Sequence, residues 1–237
     1  SNIEAETIVN SARAIHTVSD KSGFRKLMQD NKVSCPTTWF DVKEFIREDD
    51  DLREYHCVVR PLVHHQGRHT YLCKSWKEVN DAIDKCKAVA GGYYISEFIP
   101  KVAEYRVFIV QGRTVCVAKK TPGNPEDVAW NVARGGRFDN VRWDDWPLKA
   151  VRVSTEAFNI SGLDFGGVDV MVDAQGNATV LEINAAPSLT SEYRQECFAK
   201  AFDYIIKHGK EKIPLIQERG GYAKFIHPAI NANARIG

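Results

Sequence analysis

Two runs late in the chain alternate apolar and polar positions with the period of a half-buried strand. They are Leu163-Asp-Phe-Gly-Gly-Val-Asp-Val-Met-Val-Asp173 and Ala178-Thr-Val-Leu-Glu-Ile-Asn184, separated by Ala-Gln-Gly-Asn177. Gly and Asn tolerate positive φ, so the connection is turn chemistry and the pair reads as a hairpin. Pairing Asp173 with Ala178 puts Asp169 opposite Glu182. Val168, Val170 and Val172 then share the core face with Leu181 and Ile183, while Asp169, Glu182 and Asn184 share the other.

Upstream, the periods alternate. Residues 20–30 read as a helix with an acidic start, and 33–40 as a strand that Pro36 places at a sheet edge. Residues 41–49 read as a helix capped by Asp41, 55–62 as a strand, and 64–69 as a loop leading to a short strand at 70–73. From 77 to 90 the period is helical, with Val79, Ile83, Cys86 and Ala90 on one face, until Gly91-Gly92 stops it. Three strands are expected at 93–99, 104–110 and 113–119, the last two joined by Gln111-Gly112. Residues 121–146, rich in Gly, Pro, Asn and Asp, are expected to be irregular. Helices are expected at 147–161 and 190–208, and the tail 210–237 has weak periodicity. Helices beside antiparallel strands predict an α+β fold. The expected division is an N-terminal segment with the first core helix (1–32), a small lobe (33–92), a large lobe carrying the hairpin (93–209) and the tail.

Composition changes this picture little. With 237 residues, 43% hydrophobic, 27% charged and a formal net charge of +1, the chain can bury a core and carries no electrostatic footprint for nucleic acid or membrane. The N-terminus lacks both parts of a signal peptide, and Ser1-Asn2 reads as the scar of a tag. The six cysteines are scattered, without a Cys-x-x-Cys pair, and read as reduced, buried residues of a cytoplasmic protein.

The chemistry centres on Asp169 and Glu182. Like charges directly opposed across a hairpin repel at roughly 5 Å, so a cation between them is expected. Oxygen-only ligands of this kind suit Mg²⁺. A solvated polar face is the plainer reading of such a pair. Lys119, Lys120, Arg106, Arg134 and Arg137 supply positive charge, although Lys119-Lys120 also fits a solvated strand end and Arg134 and Arg137 flank the tight turn at Gly135-Gly136. His64, His65 and His69 have no second ligand cluster at zinc spacing. Trp130, Trp143 and Trp146 suit a surface or core role better than stacking on a base.

Read in order, Ser19-Asp-Lys21 with Val33-x-x-Pro36-Thr37, Val58-Val-Arg-Pro61, Glu97-Phe-Ile99, Glu104-Tyr-Arg106, Asn131 with Gly135-Gly136, and Leu163-Asp-Phe-Gly-Gly-Val-Asp169 with Leu181-Glu-Ile-Asn184 and Pro187 resemble the ATP-grasp superfamily. The resemblance spans roughly residues 8–206. It is to carboxylate–amine ligases of the glutamate-ligase and glutathione-synthetase type, including compact phage versions. It implies two α+β lobes with antiparallel sheets enclosing ATP, without a full N-terminal pre-ATP-grasp domain. It further implies an adenine hinge at Glu97, Phe98 and Ile99, with Glu104 on the ribose and Lys21, Arg60 and Lys119 among the cofactor-binding cations. Arg60 stands where many relatives carry Lys, and a guanidinium is a rigid fork rather than a point charge. Gly67 would be the flexible point of a lid over the phosphates. Asp169, Glu182 and Asn184 would hold two Mg²⁺ ions, with Mn²⁺ as a substitute. Arg106 and Arg134 would stabilise an acyl phosphate, and Asn131 would contact phosphate or the acyl phosphate. Arg194, by its position after the metal strand rather than by the resemblance, is the candidate for meeting a substrate carboxylate. The implied reaction is amide formation in the cytoplasm (of a host, if phage-encoded) from small-molecule or peptide carboxylates and amines. An ATP-grasp kinase or a non-catalytic nucleotide-binding module is the alternative. Only about twenty residues precede Lys21, so acceptor recognition is expected from the 121–146 loop, the tail, a second copy of the chain or a partner protein.

Overall fold

The computed structural model describes residues 9–48, 56–62, 69–124, 130 and 135–209. A helical corner comes first. α1 (Ala12–Ser19) is capped by Ser11, whose hydroxyl accepts from Ala14 N at 3.2 Å. It buries only Ala14 and Val18, too short a stripe to announce itself by periodicity. Asp20 ends α1 and caps α2 (Lys21–Asp30), its carboxylate accepting from Gly23 N at 2.9 Å.

A four-stranded antiparallel sheet follows, in the order β1-β4-β2-β3. β1 is Thr38–Trp39, β2 Cys57–Pro61, β3 Tyr71–Cys73 and β4 Tyr93–Glu97. β1 is an edge strand, as Pro36 foretold, though only two residues long. α3 (Val42–Glu48) follows Asp41, whose carboxylate accepts from Lys43 N at 2.8 Å. α4 (Trp76–Ala90) is capped by Ser75 and ends on Gly91 at φ 69°, a left-handed turn that a glycine takes without a Cβ penalty. Its buried Val79, Ala82, Ile83 and Cys86 pack with Trp39, Phe45, Cys57, Val59, Cys73 and Ile95 into a separate small core. Residues 93–97, expected as the first strand of the large lobe, hydrogen-bond to β1 and β2 and complete the four-stranded sheet.

The second sheet has five strands, ordered β7-β6-β5-β8-β9 and antiparallel throughout. β5 (Lys101–Val110) and β6 (Arg113–Thr121) join through Gln111 and Gly112, both at positive φ, which matches the right-handed strand twist. β7 (Arg137–Val141) pairs with β6 inside the segment expected to be irregular, and a single 3-10 turn follows at Trp143–Asp145. β7 is an edge strand with no fully buried residue, and three of its five residues are polar, so it carries little alternation to read. β8 (Phe165–Asp173) and β9 (Ala178–Asn184) form the expected hairpin. One face of the sheet is covered by α5 (Leu148–Ser161), whose Ala150, Val151, Ala157 and Phe158 enter the main core with Val107, Val168, Val170 and Val180. α6 (Glu192–His208) packs on the other face at one end, where Phe198 meets Phe108 edge-on at 6.0 Å and Phe165 at 6.3 Å. The rest of that face is polar. All six cysteines are free, five of them buried and Cys35 half-buried. Among the described residues no helix is long and apolar enough to cross a membrane.

Candidate active site

β5 brings Glu104, Arg106 and Phe108 onto the face shared with α6, and the register carries that row across the sheet. Arg106 pairs with Asp169 on β8, and Asp169 with Glu182 on β9; Glu104 pairs with Lys120 on β6, and Lys120 with Phe138 on β7. The opposition of Asp169 and Glu182 is the expected one. The pairing nearer the turn is not. Ala178 pairs with Val172, not Asp173, and a β-bulge between these two stretches leaves Leu181 unmatched. The bulge turns Val180 into the core beside Val170 and brings Leu181, expected there, to the cleft side with Glu182.

The bulge has a clamp. β9 is an edge strand, and its exposed backbone is taken up by α2 and the segment after it. Arg25, nearly fully buried, donates to the carbonyls of Val180 at 3.2 Å and Leu181 at 2.7 Å. The Ser34 carbonyl accepts from Val180 N at 2.9 Å, and its hydroxyl donates to the Ala178 carbonyl at 2.8 Å. One turn before Arg25 on the same helix face, Lys21 binds Glu182 Oε2 at 2.6 Å. Lys21, Arg25, Arg60, Tyr94, Leu181 and Glu182 therefore line one cleft, between the small sheet and the hairpin.

Charge alternates along the polar face. Arg106 holds Asp169 through a two-pronged pair, Nε to Oδ1 at 2.6 Å and Nη2 to Oδ2 at 2.7 Å. Lys120 bonds Glu104 and stands 3.6 Å from Asp169 Oδ2, and Lys101 bonds the second oxygen of Glu104. Burial favours neutral Asp169, but Arg106 and Lys120 outweigh it and hold the carboxyl at about 2. Glu182 is likewise below its ordinary value: burial and Asp169 push it up, and Lys21 and Arg106 more than offset them. Burial opposes the charge on Lys120 too, yet Asp169 and Glu104 raise its pKa. For Lys101 burial wins over Glu104, and its pKa falls. Phe138 lies beneath this row, its ring 4.8 Å from the Arg106 guanidinium and 5.4 Å from Lys120 Nζ. Gly167 makes room for Arg106: a Cβ there would stand 2.9 Å from Pro187 Cβ and 3.1 Å from Arg106 Cδ.

The residues anticipated from sequence fall into three groups. Asp169, Glu182, Asn184, Arg106, Glu104 and Lys21 converge, with Asn184 Nδ2 3.4 Å from Glu182 Oε1, and Arg60 faces them across the cleft. Glu97 and Phe98 form a junction with the chain before β1. Glu97 N donates to Thr37 O at 2.9 Å, Thr37 N to Glu97 Oε2 at 3.3 Å, and Phe98 N to His56 O at 3.2 Å; Ile99 follows, half-buried. Lys119 does not join the cluster. Strand alternation turns it to the opposite face, exposed, and its place is held by Lys120. Gly67, Asn131 and Arg134 lie outside the described residues. Arg25 and Lys101 were not anticipated. Arg25 was accessible through its four-residue spacing from Lys21 on a helix; Lys101 was hidden by the irregular register between Lys101 and Ala103. Trp146 is buried, and Trp130, half-buried, lies under Lys101 Nζ at 4.6 Å. No three His, Cys, Asp or Glu side chains gather as a metal site among the described residues.

The donor set nevertheless fits a hard divalent cation. Two carboxylates and an amide share one face, and each carboxylate is matched by a side-chain cation, the charge such a pair requires.

A family model of the ATP-grasp domain, the third family of its clade, matches residues 14–202. The "Probable alpha-L-glutamate ligase 2" of Hahella chejuensis is 23% identical over 206 residues, which is 84% of this chain and 66% of that one. The chain thus spans just under two thirds of that relative's length. Among solved structures, D-alanine–D-alanine ligase from Bacillus anthracis superposes with a TM-score of 0.63 at 14% identity, over 90% of this chain and 72% of that one. The ATP-grasp ligase PsnB, solved with a minimal precursor, Mg and ADP, gives 0.56 at 19% identity, over 77% and 54%.

Proposed function

The chain belongs to the ATP-grasp domain family, and from that premise we propose that it is an ATP- and Mg²⁺-dependent carboxylate–amine ligase. The observation that carries this reading is the Asp169–Glu182 pair, opposed across the hairpin and matched by Arg106 and Lys21, with Lys21 and Glu182 lining the cleft. A carboxylate oxygen of one substrate attacks the γ-phosphorus of ATP and ADP leaves. The amine of a second substrate then attacks the acyl carbon, phosphate leaves, and an amide forms with loss of the amine proton.

The roles follow from placement. Asp169, Glu182 and Asn184 would hold Mg²⁺, which supplies charge neutralisation at the β- and γ-phosphates. Lys21 and Arg60 face the same cleft and would bind phosphate oxygens there. Arg106, pinned by Asp169, is already positioned for the acyl-phosphate charge and need not reorganise when it develops. Glu97, Phe98 and Ile99, at the junction between the sheets, receive the adenine, and Glu104 the ribose. Asn131, Arg134 and the lid glycine Gly67 complete the phosphate site in this reading. The lobes then run from 33 to 97 and from 98 to 209, and the work is cytoplasmic, as free cysteines suit. The acceptor is an amino acid or peptide, its surface completed by 121–146, the tail, a second copy or a partner.

Phosphate release with ATP, Mg²⁺ and paired amino-acid or peptide substrates tests the proposal. Release should require both substrates. Asp169→Asn and Glu182→Gln should each lower it by at least ~10²-fold, with folding checked by circular dichroism. Release at the wild-type rate in both variants would remove the metal assignment.

A further inference from the structure

Arg194, in the first turn of α6, is 3% exposed. Its guanidinium carbon lies 5.8 Å from the ring centre of Phe108 and 5.9 Å from that of Phe138. Its Nε donates to Ser191 Oγ at 2.8 Å, and Ser191 in turn meets the Asn140 side-chain amide at 3.3 Å. The side chain is therefore oriented from two elements, the helix N-cap and β7.

What it lacks, among the described residues, is an anion. Each of the other cations along this face has a carboxylate: Arg106 has Asp169, Lys120 and Lys101 share Glu104, and Lys21 has Glu182. Among the described residues no Asp or Glu pairs with Arg194. Its terminal nitrogens find no acceptor there, yet they are not sealed off. The unpaired polar atoms fully shut from solvent belong to Gln29, Thr70, Arg113, Thr114 and Ser154. The nearest charge of note is repulsive: Arg106 stands over the same Phe138 ring. A buried guanidinium with aromatic walls and no counter-charge is costly, and fold stability gives no reason to keep it.

Given the ligase reading, we infer that Arg194 is the anchor for a carboxylate of the amino-acid or peptide substrate, in a subsite formed with Ser191, Asn140 and Phe138. The placement separates it from the nucleotide phosphates. Lys21 and Arg60 face the cleft beside β9 at one edge of the five-stranded sheet, whereas Arg194 lies over β5 and β7 toward the other. Arg106 and Asp169 stand between the two. A planar fork between ring faces suits a flat carboxylate with an apolar neighbour.

The Arg194 Nε–H, held by Ser191, is a spectroscopic handle, assigned by its loss in Arg194→Lys. The wild-type chain is titrated with N-acetyl-alanine, N-acetyl-glutamate, their C-terminal amides and inorganic phosphate, following the ¹H–¹⁵N signal. Saturable shifts with a free acid and none with its amide are expected. No shift with either acid, equal shifts with acid and amide, or a response to phosphate alone would overturn the assignment. Arg194→Met provides an independent reading. Removing an uncompensated charge should leave the melting temperature of the ligand-free chain unchanged or raised, and a fall would mark the arginine as structural. ATP–Mg²⁺ titrated into the wild-type chain tests the ligase reading separately, since neither readout at Arg194 depends on nucleotide.

Discussion

Lys119 and Lys120 are neighbours with opposite fates. Lys120 points onto the polar face, buried, bonded to Glu104 and within 3.6 Å of Asp169; Lys119 points away and is exposed. Removing Lys120 leaves part of a buried negative charge uncompensated, which costs about 3 kcal/mol or more when an ion pair is broken from one side. An exposed lysine contributes a few tenths at most. Lys120→Met should therefore lower the unfolding free energy by about 3 kcal/mol, and Lys119→Met by under about 0.5 kcal/mol, as read from urea titrations. Equal effects would mean that the Glu104–Lys120–Asp169 row does not hold in solution. The same alternation places Glu104 and Arg106 on one face, so choosing the inward lysine required only the strand pairing that joins Glu104 to Lys120.

At the scale of elements, the β8–β9 hairpin was legible because its determinants are neighbours: a two-residue period, turn residues and a single opposed pair. The bulge at Leu181 was not, because both registers bury valines equally well on β8. The choice is made by α2. A bulge leaves backbone groups without ladder partners, and Arg25 supplies donors for two of them from a helix some 155 positions earlier in the chain. Arg25→Met should expose the cost of two buried carbonyls without donors, about 2–4 kcal/mol in denaturant unfolding. Because Leu181 adjoins Glu182, the variant should also weaken the Mg²⁺ dependence of ATP binding by calorimetry. Unchanged stability would show that water replaces the guanidinium.

For the whole molecule, nucleotide binding between the two sheets links ligand affinity to global stability. A ligand bound only by the folded state at a hundredfold above its Kd adds about 2.7 kcal/mol. For a chain of this size that is a rise in Tm of roughly 5–10 °C. Saturating ATP with Mg²⁺ should give such a rise by differential scanning fluorimetry. Chelating the metal with EDTA, or replacing Glu182 by Gln, should abolish most of it. A full rise without metal would place the nucleotide elsewhere. The arrangement of lobes was only partly readable. Residues 93–97 have the apolar character of either sheet, and only their pairing with β1 and β2 assigns them to the smaller one.

Taken alone, the sequence determined the α+β class, most elements, both positive-φ turns and the facing of Asp169 and Glu182. These depend on periodicity and turn chemistry, which act between residues close along the chain. Tertiary structure decided which cations meet which carboxylates, where the hairpin slips register, why Gly167 must lack a side chain, and that Arg194 lies buried with no carboxylate partner among the described residues. Those outcomes depend on which distant segments are brought together and how much water they exclude. Local pattern carries no record of either.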